Sequence, residues 1–214
     1  MGKTVKHRLY QFYIGFLVNF SRMLFFVLNR LQVKGDQYIP TDARAVLYVS
    51  NHVSFLETMA IPMTIVGRQK VHTLRIAAKE ELLQIPVIGR VLRSIHIIPV
   101  KRGSGAKAYA AILQNIRQGN SILVFPEGTR AKDGIMKRPK RAIGKLMHES
   151  GLPIVPIRID GLHTWRLWKL GQKGALTFGE PFAIDEILPV NQDEEAIDYQ
   201  LVADKVMEKI RSLC

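Results

Sequence analysis

From Val33 onward the chain alternates short apolar, β-branched runs with helical stretches, and few folds admit that alternation. Ala45 to Ser50, Ile95 to Val100, Ser121 to Phe125 and Ile154 to Ile159 each have the length and side-chain type of a buried strand. Between them, Gly105 to Gln118 ends at Gly119 and Lys140 to Glu149 ends before Ser150-Gly151, so each helical stretch meets a glycine able to take a left-handed cap. Ala175 to Phe178 reads as an edge strand, and Glu194 to Leu213 as a closing amphipathic helix. This order predicts an α/β fold, a single domain whose central mixed, mostly parallel sheet is flanked by helices. A length of 214 residues with 47% hydrophobic content suffices for one such core.

The segment before Val33 follows a different pattern. Leu9 to Leu31 is dominated by Phe, Leu, Ile, Val, Tyr and Met, but Asn19, Ser21, Arg22, Asn29 and Arg30 interrupt it, which suits a spanning helix badly. On a helix, Arg8, Gln11, Asn19, Arg22, Asn29 and Arg30 fall into one stripe and leave a broad aromatic face. That is the pattern of a helix lying in the membrane interface, the alternative being one packed on the protein's own core. The expected division is therefore residues 1–33 as an N-terminal membrane-interface helical segment and residues 34–214 as the α/β domain. A net charge of +13 requires an anionic partner, nucleic acid or an anionic membrane surface. The sole cysteine, Cys214, excludes an internal disulfide framework and a cysteine-rich zinc site, and suits the reducing cytoplasmic face.

Two segments carry chemistry. In Ser50-Asn51-His52-Val53-Ser54-Phe55-Leu56-Glu57, an imidazole and a carboxylate lie at short range, the means by which a histidine is held in one tautomer and made a better base. For an isolated His-x4-Glu, a capping or structural histidine is the competing explanation. Phe125-Pro126-Glu127-Gly128-Thr129-Arg130 follows a strand with an acid, a glycine and an arginine, a grouping suited to an anionic substrate. Both segments sit at strand ends, where open α/β sheets place their sites. Ser54 has the position of a helix cap. His7, His72, His148 and His163 lack metal-ligand spacing, so no metal is expected. Gly103-Ser104-Gly105-Ala106-Lys107 lacks the spacing of a phosphate loop and reads as a helix start. Trp165-Arg166-Leu167-Trp168-Lys169-Leu170 interleaves tryptophan with cations and reads either as a second lipid contact or as core.

In this order the segments resemble the glycerolipid acyltransferase family, which includes the 1-acyl-glycerol-3-phosphate acyltransferases. Asn51-His52 with Glu57 resembles its Asn-His-x4-Asp block. Lys79, Glu81-Leu82, Pro86, Gly89 and Ile98-Pro99-Val100-Lys101-Arg102 follow the second block, the Phe125 to Arg130 run matches the third, and Leu152-Pro153-Ile154-Val155-Pro156-Ile157 matches the fourth. The chain departs from the family in having Glu57 for aspartate, His96 where glycine usually precedes a strand, and Pro139-Lys140-Arg141-Ala142 where a Phe-Lys-x-Gly element is common.

The resemblance implies that His52, oriented by Glu57, takes the proton of an acceptor hydroxyl, whose oxygen attacks an acyl thioester directly. No Gly-x-Ser-x-Gly elbow and no internal cysteine offer a nucleophile for an acyl-enzyme. Backbone N–H groups near Gly128 would hold the oxyanion. Arg102, Arg130 and Lys140, with Lys101 as a weaker member, would bind the acceptor phosphate, and Gly128 and Thr129 of the same block would belong to the phosphate and glycerol site. Glu127 is expected to organise those arginines or hold a glycerol hydroxyl, or else simply to neutralise Arg130. The basic run Lys132, Lys137, Arg138 and Arg141 is expected to face anionic headgroups.

The implied acceptor is a lysophospholipid, first 1-acyl-glycerol-3-phosphate and second another lysophospholipid or a lyso-aminolipid. The donor is acyl-CoA or acyl carrier protein, with no other cofactor, and the protein is expected to be membrane-associated on the cytoplasmic face. A non-catalytic lipid-binding module is the rival from another class. Nucleic acid is set aside because the aromatic residues concentrate in apolar stretches instead of alternating with the basic ones.

Overall fold

Parallel strands buried on both faces, with helices above and below, account for why the central runs are apolar throughout instead of alternating. The computed structural model describes residues 12–13, 15–16, 19–20, 22–42, 44–68, 73–84, 97–101, 103, 105–166, 169–188 and 197–213. Among these, seven strands form one sheet: β1 (Arg30–Lys34), β2 (Leu47–Ser50), β3 (Arg75–Lys79), β4 (Ile98–Val100), β5 (Ile122–Val124), β6 (Ile154–Asp160) and β7 (Lys173–Phe178). Their order is β1-β7-β6-β2-β5-β3-β4, and every pairing is parallel except β6 with β7. The fold is the α/β class expected, with a mixed, mostly parallel sheet.

Alternate side chains of the central strands feed two cores. Tyr48, Leu123, Val155 and Ile157 pack with Ala60, Ile61 and Ile65 of α1 (Glu57–Arg68), and with Phe25 and Trp165. Leu47, Val49, Ile122, Val124 and Ile154 face the other way, against Ile112 and Ile116 of α2 (Gly105–Arg117), Leu146 and Met147 of α3 (Arg141–Ser150), and Val202 and Val206 of α4 (Tyr199–Ser212). Helices α3 and α4 approach closely at Gly144, where a Cβ would fall 1.8 Å from the Tyr199 carbonyl oxygen. The stop after α3 is the one its sequence implies, since Gly151 takes φ +59° and its N–H turns back to the His148 carbonyl at 3.3 Å.

Several boundaries differ from expectation. Ala175 to Phe178 is not an edge strand: it belongs to β7, an interior strand covered by β1 on one side and β6 on the other. Its cover, β1, arises from residues assigned to the N-terminal helix. Helical structure gives way to a π-turn at Met23–Val27, and Arg30 and Leu31 pair with Lys173 and Gly174. Asn29 and Arg30 therefore leave the polar stripe, and Asn29 is buried, donating to the Leu24 carbonyl (2.9 Å) and accepting from the Gln172 N–H (3.1 Å). The boundary expected after Val33 falls inside β1. Trp165 resolves to the core: it stacks on Phe25 at 6.0 Å and donates its indole N–H to the Lys173 carbonyl at 2.8 Å. Arg8, Gln11, Pro86, Gly89, His96, Arg102, Ser104, Trp168, Glu194 and Cys214 lie outside the described residues.

Candidate active site

Strands β2 and β5 are parallel neighbours, so the loops leaving their C-terminal ends emerge side by side. His52 stands two residues past β2 and Glu127 three past β5. The histidine is fixed from three directions. Its Nδ1 lies 2.6 Å from Glu57 Oε1, its ring stacks on Phe125 with centroids 4.3 Å apart, and its backbone N–H donates to Glu127 Oε1 at 2.8 Å.

Glu57 is fully buried at the first position of α1. Its Oε1 also accepts the backbone N–H groups of Val53 (2.7 Å) and Ser54 (2.9 Å), while Oε2 accepts Ser54 N–H at 2.7 Å. A carboxylate already receiving backbone donors acts as an acceptor, which assigns the Nδ1 proton to His52 and leaves the lone pair on Nε2. Among the described residues nothing bonds Nε2, and the ring is partly exposed. Ser54 Oγ accepts the Leu56 N–H at 3.2 Å in the turn before α1; standing three residues ahead of the first helical residue, it is not the helix cap expected of it.

Asn51 carries a function that its sequence gives no sign of. Its side-chain amide pairs with the backbone of Ile159 in β6, donating to the carbonyl at 3.0 Å and accepting the N–H at 2.7 Å. The side chain thus imitates one more rung of the β2–β6 ladder, and the backbone entering His52 is pinned by it. Phe125 is the other residue missed. Its ring supports His52 only because β5 lies beside β2, a neighbourhood invisible across more than seventy positions of sequence.

Glu127 is buried and joins the two loops. Its Oε1 takes the His52 N–H and its Oε2 takes the Lys137 N–H, each at 2.8 Å. The same two segments meet again where the Ala131 N–H donates to the His52 carbonyl at 2.6 Å. Gly128 has φ +65°, and a Cβ there would fall 2.6 Å from Lys140 Cε and 2.7 Å from its ammonium nitrogen, so glycine is what lets that cation lie across the loop. The Gly128 N–H donates to the Phe125 carbonyl at 3.0 Å and is spent in that turn. Thr129 and Arg130 are exposed beside it, and their backbone N–H groups find no acceptor among the described residues. Lys101 follows β4, two strands from β5 at the sheet edge. His52, Glu57, Glu127, Gly128, Thr129, Arg130 and Lys140 come together around two adjoining loops, and Arg102 is not among the described residues.

A partly exposed imidazole, oriented by a buried carboxylate and with one open nitrogen, beside a loop that carries Arg130 and Lys140, is equipped to remove a proton from a substrate that also carries an anionic group. The model of the acyltransferase family matches residues 30–160, which contain all of these residues. A chloroplastic 1-acyl-sn-glycerol-3-phosphate acyltransferase from Brassica napus is 29% identical over 154 residues, covering 71% of this chain and 42% of that protein. A 1-acyl-sn-glycerol-3-phosphate acyltransferase from Borreliella burgdorferi is 25% identical over 194 residues, covering 86% and 73%. The crystal structure of the 1-acyl-sn-glycerophosphate acyltransferase from Thermotoga maritima has a TM-score of 0.69 at 23% identity, covering 96% of this chain and 82% of that one, and shares the fold. The chain spans between 41% and 57% of the length of the first plant relatives it matches.

Proposed function

The chain belongs to the glycerolipid acyltransferase family, and from that membership we propose that it transfers a fatty acyl group from an acyl thioester to the free hydroxyl of a lysophospholipid, with 1-acyl-glycerol-3-phosphate as acceptor and phosphatidic acid as product. The observation that carries this reading is the 2.6 Å contact of His52 Nδ1 with buried Glu57, which leaves Nε2 as the base. Nε2 takes the hydroxyl proton as the oxygen attacks the thioester carbonyl. Collapse of the tetrahedral intermediate breaks the C–S bond, and the departing thiolate recovers the proton from His52. The N–H groups of Thr129 and Arg130, which have no acceptor among the described residues, are donors available to the oxyanion. The guanidinium groups of Arg102 and Arg130 and the ammonium of Lys140 serve the acceptor phosphate, with Lys101, past the edge strand β4, a weaker contributor.

The reaction belongs at an anionic membrane surface on the cytoplasmic side. The net charge favours such a surface, and Phe12, Phe16 and Phe20 of the N-terminal segment expose an apolar stripe to it. No helix among the described residues is long and apolar enough to cross a membrane. A panel of lysophosphatidic acid, other lysophospholipids and lyso-aminolipids, each assayed with acyl-CoA and with acyl carrier protein, tests acceptor and donor together. Thioester consumption greatest with lysophosphatidic acid is the expected result. Absence of thioester consumption with every acceptor in the panel, alongside lipid binding, would favour a non-catalytic lipid carrier.

A further inference from the structure

The loop from Arg130 to Pro139 carries one large apolar side chain to the surface of a strongly basic segment. Ile135 is 70% exposed, although the core on that side of the sheet takes in the adjacent Met136. Between Arg130 and Arg141 stand six cations, Arg130, Lys132, Lys137, Arg138, Lys140 and Arg141, against one acid, Asp133. That acid is itself exposed, and its carboxylate accepts the Ile135 N–H at 3.1 Å.

The loop is built to hold this display. Gly134 N–H closes a turn on the Ala131 carbonyl (3.0 Å), and the His163 ring occupies the space a Cβ on Gly134 would need. Lys137 is tied twice, its N–H to Glu127 Oε2 and its ammonium to the Arg130 carbonyl, both at 2.8 Å. Through Glu127 and the Ala131 to His52 hydrogen bond, the same loop is fastened to the backbone of the catalytic histidine.

We propose that Ile135 is an apolar anchor that enters an anionic lipid bilayer while the exposed cations of its loop, Arg130, Lys132 and Lys137, contact headgroups, so that the mouth of the active site is pressed against the surface supplying the acceptor. An exposed apolar tip on a loop rich in exposed cations matches a bilayer, which offers negative charge outside and hydrocarbon beneath and demands no shape complementarity. A protein partner would need roughly 800 Å² of fitted surface with a desolvated centre, and one side chain does not supply that. This contact is separate from the N-terminal aromatic stripe. It rests on the proposed lipid acceptor for its purpose but not for its detection.

The test uses the full chain with Cys214→Ser and Ile135→Cys, labelled with an environment-sensitive fluorophore, and a control label introduced by Glu208→Cys on exposed α4. With phosphatidylcholine vesicles containing phosphatidylglycerol, the label at position 135 shifts to the blue and is quenched by brominated acyl chains. With pure phosphatidylcholine it does not respond, and the α4 label stays in water throughout. Ile135→Asp weakens binding to the anionic vesicles about tenfold, the scale of losing one buried aliphatic side chain, without moving the unfolding midpoint. A label at position 135 that remains in water while the chain floats with vesicles overturns the proposal. So does a response to an acidic soluble protein equal to that with vesicles, or undiminished vesicle binding by Ile135→Asp. Because binding is read without turnover, a chain that inserts Ile135 yet transfers no acyl group contradicts the enzymatic reading alone.

Discussion

At the scale of single residues, Glu57 does two tasks with one carboxylate, binding the imidazole and closing the turn that leads into α1. Glu57→Gln supplies one acceptor oxygen where two now serve and turns an N–H2 group toward existing donors. Its expected cost is about 2–3 kcal/mol of stability, read by urea unfolding, together with a large loss of acyl transfer. Glu57→Asp keeps both oxygens on a shorter arm, and its turnover is expected to lie between wild type and Glu57→Gln. Asn51→Ala separates position from chemistry: Ile159 loses partners for both its buried N–H and its carbonyl, so about 2–4 kcal/mol is expected to disappear, with no direct change to the base. His52 and Glu57 were legible in the sequence because their spacing is short. Asn51 was not, since its partner lies 108 positions away across β6.

At the scale of elements, the site depends on two parallel strands being neighbours and on the loops beyond them being tied together by Glu127. Glu127→Gln replaces one acceptor by a donor facing a backbone N–H. We expect a lower thermal midpoint and a fall in kcat/KM even though the glutamate touches no reacting atom in the proposed mechanism. Gly144→Ala probes a different joint. The added methyl would meet the Tyr199 carbonyl, forcing α3 from α4 at a cost of about 1–3 kcal/mol, with catalytic constants little changed at temperatures where the variant is folded. The central strands were readable because burial on both faces makes their runs apolar throughout. By contrast, β1 (Arg-Leu-Gln-Val-Lys) alternates on an edge beside a helical aromatic run, and β3 (Arg-Ile-Ala-Ala-Lys) has alanines of weak strand preference. Both take their structure from pairing with distant strands instead of from local pattern.

At the scale of the whole molecule, a charge of +13 makes the proposed association with an anionic membrane surface sensitive to salt. Flotation with anionic vesicles is expected to be strong near 0.05 M salt and to weaken severalfold by about 0.5 M, where the screening length has shrunk to a few ångströms, leaving the apolar contacts as the residual attachment. Composition alone called for an anionic partner without choosing between nucleic acid and membrane, and where individual cations fall was a matter of folding: Lys140 lies across the Gly128 loop while Lys101 follows β4 at the sheet edge. The central claim is that His52 is the base of a direct transfer. It is tested most directly by thiol release from an acyl thioester, measured with and without lysophosphatidic acid for the wild-type chain and for His52→Ala. The account predicts release from the wild type only when the acceptor is present, and at least about a hundredfold less from the variant; equal release by a folded His52→Ala would contradict it.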